Sequence, residues 1–93
     1  MVVGVMTWEL YLDGCRSLKE KRRVIKSLKD RLHNRFNVSV AETAHHDVWQ
    51  RAELSCCVVS RDRRHADSVL TSAAHVVELH RDARVIDCAK SFQ

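Results

Sequence analysis

The chain has no proline, only two glycines, and an aromatic content of 5%. Nothing in it resembles a flexible linker, a low-complexity tract or a repeat. No apolar run approaches the roughly 18 residues needed to cross a bilayer. A charged start followed by an apolar segment and a small-residue cleavage site is also missing, so the expected compartment is the cytoplasm. With so few aromatics, the chain lacks the row of stacking rings by which sequence-reading RNA modules splay bases on a sheet. With so little glycine, it has no phosphate-cradling loop. It also shows no metal motif and no Ser-His-Asp or Cys-His arrangement, so a non-enzymatic protein without cofactor or metal is expected. Cys15, Cys56, Cys57 and Cys88 would prompt a search for disulfides in an exported protein, but nothing else argues for export, and they read as free thiols.

What is present, 45% apolar and 30% charged residues in 93, describes one domain spanning residues 1–93 with a modest core. The clearest signal is Ser17 to Phe36. Ser17 and Glu20 form an S-x-x-E capping box, so a helix should begin there. Leu18, Ile25, Leu28, Leu32 and Phe36, with Val24 at the edge, share one apolar stripe at about 100° per residue. Lys19, Arg22, Arg23, Lys26 and Lys29 fall on the opposite side and one flank, in a row roughly 15 Å long at 1.5 Å per residue. From Lys19 to Arg35 there are eight Lys or Arg against Glu20 and Asp30, a local charge of +6; in a chain of net charge +4, everything else sums to −2. Asn37 is the expected helix end, since asparagine tolerates the left-handed conformation found there.

Around this helix the chain alternates. Val2 to Leu12 reads as a strand with Met6, Trp8, Leu10 and Leu12 facing inward. Asn37 to Thr43 reads as a second strand, and Trp49 to Ser60 as a third with Ala52, Leu54, Cys56 and Val58 inward. Ser60 or Asp62 should cap a second helix carrying Ala66, Val69, Leu70, Ala73, Val76 and Val77 at helical spacing and ending near Asp82. Val85 to Ala89 reads as a short last strand, with Lys90 to Gln93 free to fray. The order β-α-β-β-α-β predicts an α+β, ferredoxin-like sandwich: a four-stranded antiparallel sheet in the order 4-1-3-2 with two helices on one face. The other face, carrying Val3, Val5, Thr7, Glu9, Arg51, Glu53, Ser55 and Cys57, is left open.

Several side chains invite chemistry, and each has a plainer reading. His45, His46 and Asp47 are ligand types, but neighbours on an extended chain point apart and no spaced pair completes a tetrahedral set. Cys56 and Cys57 face opposite ways on a strand, one to the core and one to the surface. Cys15, at the mouth of the first helix, would be activated by the helix dipole if exposed there. Trp49 at a strand end reads as a lid on the core. Arg51, projecting from the open face, is either a ligand contact or the cross-strand partner of Glu9 or Glu53.

SLKEKRR at 17–23, RFNVSVAE at 35–42 and D-x-WQRA at 47–52, in this order and spacing, resemble the YlxP-like family of uncharacterised bacterial proteins over essentially the whole chain. The resemblance implies a ferredoxin-like fold, a cytoplasmic location and genes lying among those for translation factors and a ribosome-binding factor; it implies no activity and no catalytic residues. Together with the basic helix, it points to an accessory protein that binds the phosphate backbone of RNA, ribosomal RNA first of all, through Lys19, Lys21, Arg22, Arg23, Lys26, Lys29 and Arg51. Two alternatives stand beside it. The open sheet face could pair with a second copy in a homodimer, or with another protein, while the basic helix is merely solvated, or the Asp13 to Ser17 loop could hold an anion for acyl or phosphoryl transfer.

Overall fold

In the computed structural model, which describes residues 1–93, the elements are β1 (Val2–Tyr11), α1 (Leu18–Arg35), β2 (Ser39–Ala44), β3 (Arg51–Ser60), α2 (Arg63–Glu78) and β4 (Arg84–Phe92). The four strands form one antiparallel sheet in the order β2-β3-β1-β4, as the sequence predicts. Alternation decides which face is covered. Met6, Trp8 and Leu10 from the first strand, Leu12 just past its end, and Ala52, Leu54, Cys56 and Val58 from the third meet the apolar stripes of both helices in a single cluster. Gly4 is part of the fit: a Cβ there would lie 2.9 Å from Leu70 Cδ1 and 3.2 Å from Val58 Cγ1, so the missing side chain lets α2 settle onto β1.

The first helix begins as its capping box requires. The Glu20 amide donates to Ser17 Oγ at 3.1 Å, and the Glu20 carboxylate accepts from the amide of Arg16, one residue ahead of the cap. Such a cap contributes about 1 kcal/mol. Asn37 does not end the helix in a left-handed turn. Phe36, extended at φ −135°, is the cap residue, and the one non-glycine residue with positive φ is His45 at 64°.

The remaining boundaries differ from the expected ones for local reasons. The second helix stops at Glu78 instead of near Asp82, because His80 turns inward: its Nδ1 accepts the Asp82 amide at 3.2 Å, and its Nε2 lies 3.2 Å from Ser27 Oγ on α1. The last strand is longer than expected and does not fray. Gln93 exchanges both backbone hydrogen bonds with Val3, each 2.8 Å, since β1 offers a partner along its whole length whatever side chains β4 carries. Trp49 and Gln50 belong to the turn before β3, not to the strand.

Both sheet edges are blunted by their own side chains. Antiparallel alternation from the Val3–Gln93 pair leaves the Cys88 amide pointing away from β1, and it donates to Asp87 Oδ1 at 2.9 Å. On the other edge the Glu42 carbonyl meets the imidazole Nε2 of His46 at 3.0 Å.

Candidate nucleic-acid interface

Successive residues of α1 turn by about 100°. The flank beside β2 therefore receives Arg22, Lys26, Lys29 and His33. Together with Ile25, Asp30 and Glu42 these residues line a groove of about 410 Å³ between the helix and the edge strand. Lys19 and Arg23 stand on the outer surface of the same helix. Of the six helix cations expected to bind RNA, Lys19, Arg22, Arg23 and Lys29 form no ion pair. Lys26 is 2.8 Å from Asp30 in an exposed i,i+4 pair. Pairs of that kind are worth a few tenths of a kcal/mol and open readily to a polyanion.

Lys21 is the exception, and the expectation that it contacts RNA is corrected. The residue is buried at 1% exposure. The ammonium lies 2.7 Å from Glu42 Oε2, a charge–charge contact rather than an aligned hydrogen bond, and donates to the His45 carbonyl at 2.6 Å and the His46 carbonyl at 3.5 Å. The reason was legible in the spacing: positions 18, 21, 25, 28 and 32 form one continuous stripe, with Lys21 inside it. Glu42 in turn follows Val38 and Val40 on the helix-facing side of β2. Lys21 fastens the β2–β3 loop to the first helix.

Arg51 is likewise not a free cation. Its Nη2 and Nε lie 2.7 and 3.2 Å from Glu9 Oε1 across the strand pair, the plainer of its two readings. The same carboxylate oxygen is 2.8 Å from His45 Nε2. His45 thus spans the sheet, with its carbonyl bound to Lys21 on the helix side and its ring against Glu9 on the open side. The middle of the open face carries a run of hydroxyls, with Ser55 Oγ 3.1 Å from Thr7 Oγ1 and 2.9 Å from Thr43 Oγ1.

The thiols separate as their strand positions dictate, apart from Cys15. Instead of lying exposed at the helix mouth it is buried, and burial, followed by the Glu20 and Asp82 carboxylates, pushes its pKa up. Burial also pushes Cys56 up to about 11. The surroundings of the buried Cys15 thiol are of mixed sign, with Asp13, Glu20 and Asp82 beside Arg81. Trp49 is not a lid on the core: it is 51% exposed, beside Val48 at 44%. No group of three or more His, Cys, Asp or Glu side chains is arranged to hold a metal ion, and no helix is long and apolar enough to cross a membrane.

The architecture is that of a ferredoxin-like protein. Among solved structures it is similar to the solution structure of a de novo designed protein with a ferredoxin fold, with a TM-score of 0.54 over all of this chain and 83% of that one. At 15% identity this is a likeness of fold alone. Residues 3–90 match the family described as a protein of unknown function, DUF503, and the chain belongs to that family. It is 39% identical over 62 residues, 67% of either chain, to the "Uncharacterized protein YlxP" of Bacillus subtilis (strain 168). The family description assigns no activity, so the reading of the groove rests on its geometry and charge.

Proposed function

We propose that the protein is a non-enzymatic, cytoplasmic accessory protein that binds the phosphate backbone of RNA through the exposed flank of α1, using Lys19, Arg22, Arg23, Lys26 and Lys29. The observation that carries this reading is that four of these five cations, Lys19, Arg22, Arg23 and Lys29, form no ion pair and lie close together on one helix. A row of unpaired charges on one rigid helix repels itself, and a polyanion relieves that repulsion while releasing its own counterions. The gene neighbourhood implied by the family resemblance makes ribosomal RNA the first ligand to try. Self-pairing through the open sheet face has less support, because that face carries the Thr7–Ser55–Thr43 hydroxyls and the Glu9–Arg51 pair among its apolar residues.

The test is fluorescence anisotropy with labelled ribosomal RNA fragments at low salt. Wild type should bind and the double variant Arg22→Ala, Arg23→Ala should bind at least about tenfold more weakly, two phosphate contacts being lost. An absence of binding by wild type, or equal binding by the variant, contradicts the proposal.

A further inference from the structure

An exposed tryptophan is unusual in a chain with two, of which the other, Trp8, is fully buried. Trp49 and Val48 expose an apolar step at the tip of the β2–β3 loop, and that loop is held in place. The His45 carbonyl accepts from both Lys21 Nζ at 2.6 Å and the Val48 amide at 3.0 Å, so the Val48 backbone and the buried ammonium share one oxygen. On the far side of Trp49, the Gln50 amide donates to the Asp13 and Cys15 carbonyls, each at 3.4 Å. The loop is also tied to the cationic groove through Glu42. Glu42, which lines the groove, takes Lys21 on its carboxylate and His46 on its carbonyl. Arg22, next in sequence to Lys21, is the first cation inside.

A half-exposed indole on a tethered loop, near a groove that carries Arg22, Lys26 and Lys29, has the two parts of a single-strand binding site: a π-face for a base and positive charge for the phosphates that follow it. Building on the backbone reading above, we infer that Trp49 stacks on an unpaired nucleobase of RNA, with the adjoining phosphates running along Arg22, Lys26 and Lys29. The partner is then a loop, bulge or end of RNA, not a uniform duplex. A uniform duplex has its bases already stacked and offers the indole nothing.

Tryptophan fluorescence tests this directly, because Trp8 is a built-in reference. A hairpin RNA with an unpaired loop should quench the emission of wild type on binding, and a blunt duplex of equal charge should not. In Trp49→Phe, where only the buried Trp8 emits, the hairpin should leave emission unchanged. Trp49→Ala should weaken hairpin binding by about 5- to 150-fold and leave duplex binding as it was, and Trp49→Phe should restore most of the loss. Trp49 is at the surface, so these variants should melt as wild type does, which a thermal scan checks. Salt-sensitive binding that ignores both the substitution and the hairpin loop would overturn the stack and leave the backbone reading standing; no binding to either RNA would overturn both. A concentration-dependent blue shift without RNA, removed by Trp49→Ala, would mean that the indole meets a second protein surface, and would also overturn the inference.

Discussion

The ammonium of Lys21 lies 2.6 Å from the carbonyl oxygen of His45, at the one non-glycine position in the chain with positive φ. A lysine from the first turn of the helix's apolar stripe thereby fixes a left-handed corner at the end of an edge strand, and with it the β2–β3 loop. The charge is not removed from the molecule's balance, but it is unavailable to a ligand.

Cutting this tie should be costly. In Lys21→Ala the Glu42 carboxylate, 19% exposed, loses its counter-ion and two carbonyls lose their donor. Breaking one half of a buried pair typically costs about 3 kcal/mol. Urea denaturation should show that loss for Lys21→Ala, and a much smaller one for the double variant Lys21→Met, Glu42→Leu, in which no buried charge is stranded. Arg22→Ala, on the wet flank, should melt within about 0.5 kcal/mol of wild type.

His80 sets the response to acid. The Asp82 amide donates to its Nδ1, so the ring proton sits on Nε2 facing Ser27 Oγ and the imidazole is neutral. Burial, and then the charges of Arg31 and Arg81, hold its pKa below the ordinary value, with Asp82 opposing them. The unfolded chain takes up a proton near pH 6.5 and the folded chain does not, so this contribution is fully present above about 6.5 and is lost as pH falls from there through the folded value. Urea midpoints at descending pH should fall below about pH 6.5, and His80→Gln should flatten that part of the profile. A profile equally steep in the variant would assign the effect elsewhere.

The cysteines should divide two and two. Cys88 is exposed and Cys57 half-buried, whereas Cys15 and Cys56 are buried with raised pKa values. Since the thiolate is the reactive form, brief alkylation at neutral pH followed by mass spectrometry should mark Cys57 and Cys88 in the native protein, and all four only after unfolding. Early modification of Cys15 would contradict the burial that keeps it inert.

Much of the fold was legible because backbone-directed signals and side-chain patterning agreed. Ser17 and Glu20 marked the helix start, and the alternation of Met6, Trp8, Leu10 and Leu12 against Leu54 and Cys56 fixed the face of both central strands. Where they disagreed, the sequence misled. The end of β4 carries no apolar alternation, yet backbone pairing with Val3 holds it to Gln93. Nothing in the pattern around Glu78 shows a helix end, because the stop is made by an inward-turned histidine reaching Ser27, 53 positions away. The sequence placed Lys19, Arg22, Arg23, Lys26 and Lys29 at the helix surface, where they lie, but also placed Lys21 there, because its charge outweighed its place in the stripe. Arg51 and Trp49 turn on tertiary facts: whether Glu9 lies diagonally across the strand pair, and whether a turn precedes the strand.

The salt dependence of RNA binding tests the central claim most directly. For wild type, the logarithm of affinity should fall linearly with the logarithm of salt concentration. In Arg22→Ala, Arg23→Ala the slope should be shallower by about 1.5 units, whereas Arg51→Ala, whose guanidinium belongs to Glu9, should leave it unchanged. A slope that is the same in all three proteins, or that responds to Arg51 and not to the helix, would contradict the assignment of the α1 flank as the polyanion surface.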